Sequence, residues 1–294
     1  MAKLCLGTAQ LGFDYGVANQ SGQPNSIHSQ KIVQSAYESG IRYFDTANSY
    51  GESESVLGNA FETLGISNSI HVITKLPPNF QTGDLDQLAN LLEETKKRLK
   101  VESLYGLLAH RDANVHDWGW FKSALSELSD VLTVDQIGIS LYDPDEALEY
   151  AHNAHIDLLQ IPMNIMDNRL LNNGFFDTTA ITGKQVFIRS IFLQGLFFLN
   201  EKELISREMD WAIDCLRKVW EYTTEKELSI PQFAWKAIIQ TVPDAVIIFG
   251  SETIDQLQMN LELDKSPDID EHLFQDWWPR VGEVNERLVT PSLW

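Results

Sequence analysis

The chain predicts an α/β protein, a parallel (β/α)8 TIM barrel forming a single domain over residues 1–294. Short apolar runs alternate with amphipathic stretches from end to end, which argues for a parallel sheet with helices outside. Eight runs have strand character, enough to close a barrel, and 294 residues suit one such unit. No Gly-x-Gly-x-x-Gly follows any of the runs, which counts against an open dinucleotide-binding sheet.

Leu4-Cys5-Leu6 is the first strand, followed by a Gly/Asn/Gln/Ser loop through Pro24. Ile32, Val33, Ala36 and Tyr37 recur at helical spacing up to Gly40. A strand at Phe44 leads to a helix on Val56, Leu57, Ala60, Phe61 and Leu64, stopped at Gly65. After the Val72-Ile73 strand, Asp84 with Gln87 has the form of a capping box. The helix behind it carries Glu93/Lys97 and Glu94/Arg98 at i,i+4. The Leu107-Leu108 strand and a helix around Phe121–Leu128 come next. Gln136–Ser140, Leu158–Ile161 and Val186–Ser190 read as strands, with a helix from Asp145 to Ala154. The stretch from Asn164 to Thr182 gives no clear period. Trp211, Cys215, Leu216 and Val219 mark a long helix; Ser229, Pro231 and Gln232 start another. Val246–Phe249 is the eighth strand, and Ile254, Leu257 and Leu261 lie on the helix after it. Residues 264–294 form a C-terminal tail whose Trp277, Trp278 and Trp294 are expected to pack across the barrel, because exposed Trp clusters favour association.

The balance of 22 basic to 42 acidic residues gives a net charge of −20, which disfavours nucleic acid and anionic membrane as partners. Cys5 and Cys215 offer no disulfide framework and no metal-ligand spacing, so no metal is expected. The opening Met-Ala-Lys-Leu-Cys-Leu-Gly has no long apolar stretch, and no run reaches the roughly 20 residues that span a bilayer. The expectation is a cytoplasmic protein with a small-molecule substrate; oligomeric state is not legible.

Four polar residues stand where apolar runs end: Asp45, Tyr50 five residues on, Lys75 and His110. In a parallel barrel that rim is where chemistry is built. A free phenol titrates near pH 10 and is a weak acid at neutrality. An ammonium about 4 Å away, at an effective dielectric of about 20, favours its phenolate by at most roughly 4 kcal/mol. Asp45 would keep Lys75 charged, and His110 would hold a carbonyl oxygen by hydrogen bond. Such a set protonates a carbonyl oxygen as hydride reaches the carbon, and the hydride must come from a nicotinamide cofactor. Taken singly, Asp45 and Lys75 form a structural ion pair and His110 is a core histidine; together at successive strand ends they point to catalysis.

The segment Phe44-Asp45-Thr46-Ala47-Asn48-Ser49-Tyr50-Gly51, with Glu54, Leu57 and Gly58, resembles the aldo-keto reductase family. The resemblance runs from Leu6 to Asn260. It implies a barrel that binds NADPH at its C-terminal rim, with NADH as second choice, and the catalytic tetrad Asp45, Tyr50, Lys75 and His110. It also implies cofactor contacts from Ser140, Gln160, Asn164, Arg189, Gly195, Gly250, Ser251, Glu252, Gln256 and Asn260. The pattern departs from the family at Leu141, where Asn is common, and at Arg189, where an aromatic is common. A guanidinium there can stack, or pair with a phosphate or substrate carboxylate. Gly250 and Gln256 stand where NADPH-preferring members place Lys and Arg, and Glu252 adds negative charge.

For the substrate pocket, the loops supply Phe13, Tyr15, Trp118 and Trp120, with Trp277 or Trp278 from the tail. The opening from Leu6 to Asn19 is similar to a bacterial-looking branch of the family that includes sugar dehydrogenases. The expected activity is reduction of an aldehyde or ketone, or oxidation of the matching alcohol or aldose. The rival reading is a cofactor-binding regulatory subunit, as in the potassium-channel β subunits that resemble this family. A third, a lyase or isomerase using a Lys75 Schiff base, is disfavoured because Asp45 would keep the amine charged.

Overall fold

Eight parallel strands close into one barrel in chain order. They are Lys3–Gly7 (β1), Tyr43–Asp45 (β2), His71–Lys75 (β3), Ser103–Ala109 (β4), Thr133–Ser140 (β5), Leu158–Pro162 (β6), Gln185–Arg189 (β7) and Val246–Gly250 (β8). The ring is shut by β1 against β8, with Gly7 opposite Gly250. The structure is a computed structural model that describes residues 3–110 and 115–294. All eight strands expected from the sequence are present.

Period-two alternation along each strand sorts side chains into two cores. Cys5, Ile73, Leu108, Leu158, Phe187, Val246 and Ile248 form one cluster, the filling of the barrel. Their neighbours Leu6, Val72, Leu107, Leu159, Ile188 and Ile247 belong to a second cluster shared with the surrounding helices. One consequence sets up the chemistry. Two residues beyond the inward Cys5, Ile73, Leu108, Leu158, Phe187 and Ile248 stand Gly7, Lys75, His110, Gln160, Arg189 and Gly250. Asp45 follows Phe44, which packs outward, so it too falls on the inward register. Burial pushes the Cys5 thiol well above its usual range, with the Asp45 charge adding to the effect, so this cysteine is filling rather than nucleophile.

Local chemistry explains the helix starts. Asp84 accepts from Gln87 N, Ser229 from Gln232 N and Thr253 from Gln256 N. Arg98 reaches Glu94 at 3.3 Å, as its spacing predicts, but its closer partner is Glu54 at 2.7 Å. The stretch without a clear period resolves into two short helices, Arg169–Asn172 and Phe175–Thr182. Between β7 and the helix Ile213–Glu225, the chain adds a distorted turn at Leu193–Phe198 and a helix at Glu201–Ser206, neither anticipated from sequence. The helix Glu271–Val281 in the tail buries Trp277 against Tyr222 and Phe233, and the indole donates to Ile165 O at 2.7 Å. That ties the tail to the loop following β6. Among the described residues no helix is long and apolar enough to cross a membrane, and no group of His, Cys, Asp and Glu could hold a metal ion.

Candidate active site

Asp45 and Lys75 end adjacent strands, and both are nearly buried. Lys75 Nζ donates to Asp45 Oδ1 at 2.7 Å and to Thr46 O at 2.8 Å. Burial works to strip the amine of its proton, but Asp45 and then Tyr50 outweigh it and hold Lys75 above its usual range. The same ammonium lies 4.9 Å from the centroid of the Tyr50 ring. The rings of Tyr50 and His110 stand edge to face at 6.4 Å, and Ser49 Oγ meets His110 Nδ1 at 3.4 Å. The structure therefore brings together the four residues read as a tetrad.

Asp45 is held from its other side as well. Gln160 Nε2 donates to Asp45 Oδ1 at 2.7 Å, and Ser140 Oγ donates to Gln160 Oε1 at 3.1 Å. A hydrogen-bonded row thus runs from β5 through β6 to β2 and β3, spanning the inside of the barrel. Gln160 is fully buried and lies outside the cavity lining, so it reaches the site through its two partners.

Tyr50 sits on a turn built by close backbone packing. A Cβ on Gly12 would fall 1.7 Å from Tyr50 O, and one on Gly51 would fall 2.4 Å from Gly12 O. Gly51 also has φ +53°, where glycine carries no side-chain cost. Beneath the turn, Thr8 Oγ1 donates to Asp45 O at 2.8 Å and Thr46 Oγ1 to Ser53 Oγ at 2.9 Å. Ser53 Oγ donates in turn to Thr8 O at 2.9 Å. Sequence reasoning did not single out Gly12, Thr8 and Ser53. The nearest signal was Gly12 and Gly51 flanking two turns rich in small polar residues.

A cavity of about 800 Å³ opens on this centre. Asp45, Tyr50, His110 and Ser140 line one part of its wall; Gly250, Glu252, Gln256 and Asn260 line another. Between them runs the loop after β7, with Arg189, Gln194 and Gly195. Ser190 and Gln194 in the wall, and the buried Leu193 beside them, have positive φ, a concentration of backbone strain in this loop. The loop after β1 crosses to meet it: Val17 N donates to Gln194 O at 3.0 Å, and a Cβ on Gly195 would lie 2.7 Å from Ala18 Cβ.

Tyr15 lines the cavity. Trp118 and Trp120 do not. Trp118 opens the helix Trp118–Glu127, where Asp117 caps it, and turns into the core against Phe121 and Tyr150. Trp120 packs half-buried against the same core. Phe13 packs against Tyr15 and Tyr50 outside the lining, and Trp277 is buried under the tail. Tyr142, Phe192 and Phe198 supply the aromatic wall instead. Ser251 also lies outside the lining; it is buried, and Asn260 Nδ2 donates to its Oγ at 3.4 Å.

The wall fits a nicotinamide dinucleotide. Its volume is in the range of cofactor pockets, and glycine at 195 and 250 brings backbone to the surface. Asn164 lies outside the lining; it is fully buried, and its Nδ2 has no partner among the described residues.

The family model described as the aldo/keto reductase family matches residues 3–276. Among curated proteins, an L-glyceraldehyde 3-phosphate reductase of Escherichia coli O157:H7 is 23% identical, the match covering 84% of this chain and 82% of that protein. The aldo-keto reductase str7 of Strobilurus tenacellus is 29% identical over 87% of this chain and 81% of its own. Among solved structures, the holo form of an aldo-keto reductase from Bacillus halodurans superposes with a TM-score of 0.75 at 19% identity, covering 98% of this chain and 95% of that one.

Proposed function

The chain belongs to the aldo/keto reductase family, and we propose that it reduces a small aldehyde or ketone with Tyr50 as the proton donor. The observation that carries this reading is the buried Lys75–Asp45 pair set against the Tyr50 ring at the mouth of one large cavity.

A nicotinamide cofactor, once bound, supplies hydride to the carbonyl carbon. The rest of the work falls to this chain's side chains. His110, oriented by Ser49, donates a hydrogen bond that fixes the carbonyl oxygen beside the Tyr50 hydroxyl. Tyr50 gives its proton to that oxygen as negative charge develops there. The Lys75 ammonium stabilises the phenolate left behind, and Asp45 keeps the ammonium charged against the pull of burial. Gln160 and Ser140 hold the Asp45 carboxylate in place. In the reverse direction the phenolate takes the proton back, oxidising an alcohol or aldose.

Ser140, Gly195, Gly250, Glu252, Gln256 and Asn260 would hold the cofactor along the wall. Where the family resemblance puts the adenosine, Glu252 and Glu262 line the cavity and no Lys or Arg does so among the described residues. Burial lifts the Glu252 carboxyl, opposed by the Gln256 hydrogen bond and aided by Asp14. A wall without a countercharge disfavours a 2′-phosphate, so NADH, the second choice of the sequence reading, is favoured over NADPH. The reductase of phosphorylated glyceraldehyde among its relatives supports a small carbonyl compound as substrate class.

A panel of aldehydes, ketones and aldoses assayed with both cofactors tests the proposal. Turnover of at least one, with Tyr50→Phe strongly impaired, is expected. A protein that binds NADH but turns over nothing in the panel would instead be a regulatory binder.

A further inference from the structure

Arg189 is the one Lys or Arg among the described residues lining the cavity. It ends β7 on the inward register, in the same ring of strand ends as Lys75 and Ser140. It takes part in none of the ion pairs found among the described residues. Its Nη2 donates to Leu141 O at 3.0 Å, its Nη1 reaches Ser190 Oγ at 3.4 Å, and one guanidinium face covers the Tyr142 ring at 4.1 Å. Those contacts fix the plane of the group and use two of its five N–H donors. The guanidinium is thus fixed at the cavity wall with its other N–H donors left for a ligand, and an oxyanion is the group they fit.

Tyr15 stands with it. Both line the cavity, and the Tyr15 hydroxyl makes no hydrogen bond among the described residues, although the residue's backbone carbonyl does. Burial raises the Tyr15 phenol far above its usual range; Tyr50 adds to this, and Arg189 partly offsets it. The phenol therefore remains an O–H donor at any working pH. Phe13 packs against both Tyr15 and Tyr50, at 5.5 and 6.2 Å between ring centroids, and Tyr15, Tyr50 and Arg189 line the same cavity, so this pair of donors sits at its catalytic end. Glu252 and Glu262 also line the cavity.

We propose that Arg189 and Tyr15 form an anion subsite beside the reacting carbonyl, so that the substrate is a carbonyl compound bearing a carboxylate or a phosphate. The inference rests on the carbonyl-reductase reading above and adds the substrate's charge. A guanidinium fork matches either oxyanion by two parallel hydrogen bonds, and Tyr15 supplies a third donor. A site built from such donors also rejects neutral analogues, because their binding leaves the donors unpaired.

The test uses matched pairs assayed with saturating NADH and with saturating NADPH: carboxybenzaldehydes against the corresponding carbamoylbenzaldehydes, and glyceraldehyde 3-phosphate against glyceraldehyde. The wild-type protein is expected to favour the anionic member of at least one pair by about tenfold or more in kcat/KM, and the arm in which this occurs tells carboxylate from phosphate. Arg189→Gln should bring that ratio to about one, Arg189→Lys should retain part of it, and Tyr15→Phe should lower it. Calorimetric titration of the NADH-loaded protein with benzoate and with inorganic phosphate, at least one of which should bind more weakly to Arg189→Gln, gives a readout independent of turnover. Ratios near one for every pair in the wild type overturn the subsite while leaving the reductase reading intact. So does a ratio that survives Arg189→Gln, or an Arg189→Gln protein whose main loss is NADH affinity, which would assign the guanidinium to the cofactor's diphosphate. No turnover of either member of any pair would instead remove the reductase reading on which the inference stands.

Discussion

Asp45→Asn is the perturbation whose size the structure fixes best. The Asp45 carboxylate receives the Lys75 ammonium at 2.7 Å and the Gln160 amide at 2.7 Å, and all three residues are buried. An Asn keeps the shape and an Oδ1 acceptor but removes the charge, leaving the buried Lys75 ammonium with only neutral acceptors, among them Thr46 O. Breaking a buried ion pair by neutralising one member costs about 3–5 kcal/mol, a large part of a typical stability of about 5–15 kcal/mol. Adding Lys75→Met removes the stranded charge, so the double variant should recover about 2 kcal/mol or more relative to the sum of the singles. Urea unfolding at neutral pH, followed through the tryptophans, measures both quantities. The pH dependence has a definite sign. Because the folded protein holds Lys75 above its usual range, the stabilisation it provides is complete below the unfolded value of about 10.4. It is lost as pH rises from there through the folded value. Wild-type stability should therefore fall in alkali beyond about pH 10 by an increment that Lys75→Met lacks. An Asp45→Asn protein within about 1 kcal/mol of wild type, with the double variant additive, would refute the reasoning.

Two further perturbations probe the site's construction. Gly12→Ala would drive a methyl into the backbone at Tyr50 O, 1.7 Å from the ideal Cβ position. Relief requires the Tyr50 turn to move, so the variant should lose about 1–3 kcal/mol of stability and most of its turnover; thermal melts and initial rates check this, and a variant with wild-type values would show that the turn is not held by this contact. Glu252→Lys places a cation at the proposed adenosine end and should tighten NADPH relative to NADH by about tenfold, or ~1.4 kcal/mol. Fluorescence titration with both cofactors measures the ratio, and an unchanged one would remove Glu252 from cofactor selection.

The fold was legible because parallel strands buried on both faces read as nearly unbroken apolar runs. Leu158–Pro162 is the clearest case, buried at every position. The positions of Asp45, Lys75 and His110 followed from the same pattern, since a polar residue ending such a run on the inward register can face only the barrel mouth. Tertiary contacts hid the rest. The bond from Gln160 to Asp45 joins residues 115 apart in the chain, and no local signal reports it. Tyr142, Phe192 and Phe198 reach the cavity because loops after β5 and β7 fold over it, and loop paths depend on contacts such as Val17 N to Gln194 O. Trp118 was misassigned for a reason the sequence did contain. With Phe121 and Leu125 it makes an i, i+3, i+7 stripe, the mark of a core-facing helix.

The most direct measurement is deuteride transfer in a single turnover, using nicotinamide cofactor labelled at the transferring position and an aldehyde substrate. The account predicts label on the carbinol carbon of the alcohol formed by the wild-type protein, and transfer slowed by about 10²-fold or more in Tyr50→Phe. Product alcohol without label, or equal transfer rates in the two proteins, would contradict it.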